Sequence, residues 1–207
     1  MTKESEKNTR IAYGVKQLTS QHKDIRRLKR NLENPSIHGN KFWGSSYLLM
    51  DYLEKNNPKT GSKILELGCG WGLAGIHCAQ QYQAKVTAID ADEAVFPYLH
   101  LHAQHNNVSI ETKPVYFEKI TIEQLAQYDM IIAADICFWD ELADIVFALI
   151  KRACKAGVGK IIIADPERAP FFDLAERCTE QYYAEQVTWQ VEEPKKASGS
   201  LLIIENA

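Results

Sequence analysis

Lys63-Ile-Leu-Glu-Leu-Gly-Cys-Gly-Trp-Gly-Leu-Ala-Gly75 is the stretch on which the fold turns. Ile64 to Leu67 reads as a buried strand, Gly68, Gly70 and Gly72 as a glycine-rich turn, and Leu73 onward as the start of a helix. A strand that breaks into glycines before a helix brings backbone close to a ligand, because glycine has no side chain to hold the ligand away and tolerates positive φ. The free N–H groups at the helix start favour a polar or anionic group.

Downstream, apolar strands alternate with helical segments. Strand Lys63–Gly68 precedes helix Leu73–Tyr82, and strand Lys85–Asp90 precedes helix Glu93–His105. Strand Val108–Lys113 precedes a short helix, Ile122–Gln127; strand Asp129–Ala134 precedes helix Asp140–Lys155; strand Lys160–Ala164 precedes helix Pro170–Tyr183. This alternation predicts an α/β fold, a parallel doubly wound sheet with helices on both faces. The chain then departs from the pattern. Glu185–Val191 and Ser200–Glu205 are strands joined by the polar loop Glu192 to Gly199. The last strand must therefore run antiparallel to its neighbour, giving a seven-stranded Rossmann-like sheet.

Upstream, residues 1–17 are polar and expected to be partly disordered. Thr19–Leu32 predicts an amphipathic helix, with Leu18, Ile25, Leu28 and Leu32 on one face and Lys23, Arg26, Arg27 and Arg30 on another. Asn34 to Asn40 is a turn-rich linker, and Phe42–Lys55 a second helix. The division expected is a basic extension over 1–40 and a catalytic domain over 41–207. Up to Asn40, nine Lys/Arg stand against four acids, a +5 head on a chain of net charge −3. A solvated basic face is the simpler reading of the first helix; nucleic acid is the sharper one, weakened by the lack of interleaved aromatics.

At 207 residues, 45% hydrophobic and 25% charged, the composition is that of a globular chain and predicts neither a polyanion binder nor a disordered chain. Apolar runs are strand-sized, too short to span a bilayer, and the polar N-terminus carries no export signal. The five cysteines are scattered without C-x-x-C spacing, as expected for reduced thiols in a cytoplasmic protein. His100, His102 and His105 read as a polar helix face rather than a metal site. His38, in the loop before Trp43, is either a residue at the cleft mouth or a solvated one.

In an open parallel sheet, ligands bind at the carboxyl ends of the strands. Asp90 ends the second strand there, placed to accept hydrogen bonds from a ribose, while Asp92 suits helix capping better. Gly70-x-Gly72-x-x-Gly75 matches a dinucleotide fingerprint. Two features oppose NAD. Glu66 puts an anion where a pyrophosphate would lie, and the antiparallel hairpin is foreign to the six-stranded dinucleotide fold. A cationic nucleoside, S-adenosylmethionine, has a use for Glu66. Asp135 ends the fourth strand and points into the same cleft, where its carboxylate can orient an amine acceptor. Phe138, Trp139 and Trp43 offer cation–π faces.

Leu65-Glu-Leu-Gly-Cys-Gly-Trp-Gly72 followed by Asp90 resembles the first motif of class I S-adenosylmethionine-dependent methyltransferases. Trp43-Gly44-Ser45-Ser46, Asp135-Ile-Cys-Phe138 and Ala164-Asp-Pro-Glu-Arg168 are similar to stretches of the family-16 protein-lysine methyltransferases. Phe138 stands where Tyr is common, and Pro114 to Phe117 lacks the Asp-Trp pair often found there. The resemblance implies S-adenosyl-L-methionine as cofactor. It implies Trp43, Glu66, Leu67, Gly68, Cys69, Gly70, Gly72, Asp90, Ala91, Ala134 and Asp135 around that cofactor, and Asp135 and Phe138 facing the acceptor. It implies a protein lysine as the acceptor. A small-molecule or RNA methyltransferase is the alternative, and a non-catalytic nucleotide binder or NAD enzyme the alternative of another class.

Overall fold

The computed structural model describes residues 8–32 and 42–206. His38, the Asn34–Asn40 linker and the 40/41 boundary expected from sequence lie outside the described residues. A β-hairpin, β1 (Thr9–Ala12) and β2 (Val15–Leu18), leads to α1 (Lys23–Asn31) and α2 (Ser45–Lys55). Then come β3 (Lys63–Leu67), α3 (Leu73–Tyr82), β4 (Lys85–Asp90), α4 (Phe96–His105), β5 (Glu111–Pro114), α5 (Ile122–Leu125), β6 (Met130–Ala134), α6 (Asp140–Lys155), β7 (Lys160–Asp165), α7 (Ala169–Tyr182), β8 (Glu185–Val191) and β9 (Ala197–Glu205).

The main sheet has seven strands in the order β5-β4-β3-β6-β7-β9-β8. β3 to β7 are mutually parallel, and β9 runs antiparallel between β7 and β8. The inserted antiparallel strand is thus where the sequence puts it. Alternate strand residues feed two cores. Ile64, Val86, Ile132 and Ile162 pack under α2 and α3 on one face. Leu65, Leu67, Ile131 and Ile163 pack under α6 and α7 on the other. Strand order reverses between β3 and β6, so the crevice above their carboxyl ends is the natural ligand site.

Four expectations need correction. Residues 9–18 are a paired hairpin, not a disordered lead-in. Tyr13 and Gly14 form its two-residue turn at φ +50° and +78°, the conformation that matches strand twist. A Tyr in the first left-handed position hides this turn from a search for Asn-Gly. The Tyr13 hydroxyl donates to Asp51 Oδ1 at 3.3 Å, and Val15 is fully buried in the main core. Next, α1 starts only at Lys23: Leu18 belongs to β2, and Leu32 is exposed. Finally, His102 is buried, not part of a polar face. Its Nε2 accepts from the Leu18 amide at 3.1 Å and its Nδ1 donates to the Tyr98 carbonyl at 2.7 Å. The third strand also begins later than expected, at Glu111.

Candidate active site

The glycine turn is tied to β4 and closed on itself. The Cys69 amide donates to the Ile89 carbonyl at 3.0 Å, and Gly72 N donates to the Cys69 carbonyl at 2.7 Å. Gly68 and Gly72 sit at φ +59° and +73°, where L side chains are strained. At Gly68 a side chain would also press to within 2.8 Å of Ile136. The open space above Gly70 meets no atom within 4 Å, which leaves room for a ligand there.

Two carboxylates face this turn. Asp90 accepts from the Gly70 amide (3.0 Å) through Oδ2 and from the Asp92 amide (3.0 Å) through Oδ1. Burial raises its pKa, and the amides offset part of that rise. Asp92 takes the capping role, accepting from the Ala94 amide. Glu66 is 5% exposed and its Oε2 has no hydrogen-bond partner among the described residues. Burial pushes its carboxyl up to about 8; the Gly75 amide nearby offsets only part of this, and Asp90 adds to it. A Cβ at Gly75 would collide with Glu66 Oε2, so the glycine at 75 makes space for this carboxyl.

The far wall comes from the tips of β6 and β7. Ala134 pairs with Ala164, which puts Asp135 and Asp165 side by side. Arg168, at the start of α7, reaches back to both. Its Nη2 donates to Asp135 Oδ1 and its Nη1 to Asp165 Oδ2, each at 2.8 Å, while its amide donates to Asp165 Oδ1 at 2.8 Å. The Ser45 amide, opening α2, donates to Asp135 Oδ2 at 3.2 Å. Asp135 sits at φ +59°, a left-handed backbone that a non-glycine residue holds only when its surroundings enforce it. α6 begins after Trp139 without a side-chain cap, so Asp135 serves the cleft and not the helix. The Arg168 guanidinium lies 4.6 Å from the centroid of Phe138 and 5.9 Å from that of Trp43; those two rings meet edge-on at 5.6 Å.

These elements enclose a cleft of about 450 Å³. Of the residues expected from sequence, Trp43, Glu66, Gly68, Cys69, Gly70, Gly72, Asp90, Ala91, Ala134, Asp135 and Phe138 line it together. Leu67 does not: it shares the parity of Leu65 and points into the opposite core. Sequence reasoning missed Phe42, Trp71, Tyr116 and Phe117, which also line the cleft. Trp71 stacks on Tyr98 at 5.2 Å with planes 3° apart, and its place inside the glycine motif was the available signal. Tyr116 and Trp139, 61% and 47% exposed, stand at the mouth.

The sheet order, the inserted antiparallel strand and the carboxylates at the β3 and β4 tips define a class I methyltransferase fold. A model of the family described as lysine methyltransferase (methyltransferase family 16) matches residues 21–187. The chain belongs to that family, one of S-adenosylmethionine-dependent methyltransferases. It is 29% identical over 134 residues to the electron transfer flavoprotein beta subunit lysine methyltransferase of Xenopus laevis, covering 63% of this chain and 52% of that one. A ubiquinone biosynthesis O-methyltransferase of Xylella fastidiosa is 33% identical over 82 residues, 40% of this chain and 33% of the relative. The chain thus spans about half the length, or less, of these curated relatives. Among solved structures, the tRNA (uracil-54, C5)-methyltransferase of Pyrococcus abyssi in complex with S-adenosyl-L-homocysteine superposes with a TM-score of 0.60 at 17% identity, over 94% of this chain and 42% of that one. Among the described residues, no helix is long and apolar enough to cross a membrane.

Proposed function

We propose that this protein transfers a methyl group from S-adenosylmethionine to the side-chain amine of a protein lysine. The observation that carries the reading is the charge of the far wall. Asp135 presents its carboxylate to the cleft beside the faces of Trp43 and Phe138, and with Asp165 and Arg168 behind it the cluster carries one net negative formal charge. A wall of this kind favours a cation or an amine that becomes one, and disfavours a phenolate or carboxylate acceptor.

The cofactor side fits the same reading. The buried, unpaired Oε2 of Glu66 suits a cationic group. Asp90 keeps lone pairs for ribose hydroxyls beyond its two amide bonds. Glu66, Gly68, Gly70 and Asp90 would hold S-adenosylmethionine, with Trp43, Cys69, Gly72, Ala91 and Ala134 completing the walls. Bound there, it supplies an electrophilic methyl group on a sulfonium. The protein's part is to deliver a neutral lysine along the sulfur–methyl axis and to exclude water. Asp135 accepts an N–H of the acceptor amine and so orients its lone pair. Phe138, with Trp43, stabilises the ammonium as it develops. The lysine nitrogen would take the methyl group in exchange for a proton given up to solvent, leaving S-adenosylhomocysteine as the second product. Tyr116 and Trp139 at the mouth offer apolar faces to the acceptor protein.

Incubation with radiolabelled S-adenosylmethionine and a cell extract tests this. Label in protein, recovered as N-methyllysine after hydrolysis, is expected. Label confined to RNA or small molecules would overturn the protein acceptor.

A further inference from the structure

We infer that Arg168 is the positioning residue of the acceptor wall: by bridging Asp135 and Asp165 against the face of Phe138, it holds the Asp135 side chain facing the acceptor. The inference rests on the amine-acceptor reading of the cleft. Arg168 is absent from the cleft lining, so it acts through Asp135 and Phe138 rather than on cofactor or acceptor.

Three observations carry it. Arg168 is the cation that both tip carboxylates share, through two guanidinium nitrogens 2.8 Å from each partner. The fork is planar, and its other face is taken by the Phe138 ring at 4.6 Å. One side chain therefore sets the carboxylate and the aromatic together, a geometry that an ammonium cannot reproduce. The seat of the arginine is itself built. Its amide is held by Asp165 Oδ1. The residue before it, Glu167, sits at φ +72° with its carboxylate accepting from Ser200 Oγ at 2.8 Å. Asp135 is 4% exposed and Asp165 fully buried. Asp165 and the Cys137 thiol stand near Asp135, and Arg168 brings the positive charge paired with it.

Without the guanidinium, two buried carboxylates at neighbouring strand tips face each other uncompensated. One must take up a proton. Asp165 is already raised to about 6 by burial with the arginine present. With the fork gone, Asp135 is no longer held toward the acceptor amine, whereas Glu66 and Asp90, on β3 and β4, keep their places.

The test compares wild type with R168Q, R168K and R168A, measuring S-adenosylhomocysteine affinity by calorimetry and label transfer into extract protein from pH 6 to 9. For R168Q, affinity within about threefold of wild type and transfer at pH 7 lower by about tenfold or more are expected. The acid limb of its pH profile should move up by at least about one unit. R168K should fall short of wild type severalfold, and millimolar guanidinium should restore part of the transfer by R168A. R168Q with wild-type transfer and pH profile would overturn the inference. If R168Q does not fold, R168K decides: full transfer with an unshifted profile would mean that the fork is not needed. Wild-type protein that fails to bind S-adenosylhomocysteine or labels no protein would instead remove the underlying reading, and the inference with it.

Discussion

The Gly70 amide lies 3.0 Å from Oδ2 of Asp90, so the glycine turn after β3 is tied to the tip of β4. This bond sets the shape of the cofactor half of the cleft before any ligand arrives. Replacing Asp90 with Ala removes both the turn's anchor and the group assigned to the ribose. Hydrogen bonds to a charged group contribute about 1.5–3 kcal/mol each, so S-adenosylhomocysteine affinity should fall by about 100-fold. Calorimetric titration reads this directly. Affinity unchanged in D90A would mean that the ribose lies elsewhere.

Glu66 titrates in the opposite sense to an ordinary paired acid. Its folded pKa, about 8, lies above the ordinary value of 4.5 because burial disfavours the charge. The folded state therefore holds a proton that the unfolded chain gives up between these values. Stability falls as pH rises through that window and is flat above it. Glu66→Gln keeps the shape without the titration. Urea midpoints of ligand-free wild type should decline relative to E66Q between pH 5 and 8; parallel curves would contradict a buried, uncompensated Glu66. An ammonium set against Glu66 should restore its ionisation, so binding of S-adenosylhomocysteine, through its α-ammonium, at pH 7 should release protons in wild type and fewer in E66Q, seen as buffer-dependent binding enthalpy.

The sheet and the cofactor half were legible because each strand carries a local signal. Apolar runs end in Gly68, Asp90 and Asp135, and glycines punctuate the turn. Leu67 shows the limit of reading a motif as a block: strand parity turns it away from Glu66 and Gly68, into the α6 core. The acceptor wall was legible only in pieces. Asp135 and Arg168 are distant in sequence, and only the β6–β7 pairing brings them to 2.8 Å. Phe42 and Tyr116 reach the cleft from loops and Phe117 from a single 3-10 turn, whose paths no periodicity encodes. The N-terminal hairpin escaped because its turn relies on Tyr13, whose strain is offset by tertiary bonds to Asp51 and the Glu193 carbonyl.

His77 and His102 join that hairpin to the catalytic fold as neutral rings. His77 Nδ1 donates to the Tyr13 carbonyl at 3.2 Å, with Glu54 and Tyr82 near its other nitrogen. His102 accepts from Leu18, with His22 and His105 disfavouring its charge. Burial pushes both down to about 4. Their folded pKa is depressed, so the unfolded chain binds the extra protons. Stability is present above about 6.5 and is lost as pH falls toward 4, by on the order of 3 kcal/mol per histidine. His102→Gln retains a donor and an acceptor but does not titrate. Urea midpoints from pH 7 to 4 should drop less steeply in H102Q than in wild type; equal slopes would mean that His102 is not held neutral.

Gly199 offers a way to disturb the acceptor wall from outside the cleft. It lies on β9, beside Ser200, which pairs with Asp165 at the tip of β7. A Cβ at Gly199 would collide with the Asp165 carbonyl and press on Leu48. Backbone, not a flexible side-chain end, must then give way, and the Asp165–Arg168 seat moves with it. Gly199→Ala should lower stability by about 1–3 kcal/mol, the usual range for overpacking. It should also reduce label transfer to protein while S-adenosylhomocysteine affinity holds, because the Glu66–Asp90 half is built on other strands. Urea denaturation and paired calorimetric and transfer assays separate these effects. Loss of cofactor affinity in step with transfer would show that the two halves of the cleft are one mechanical unit.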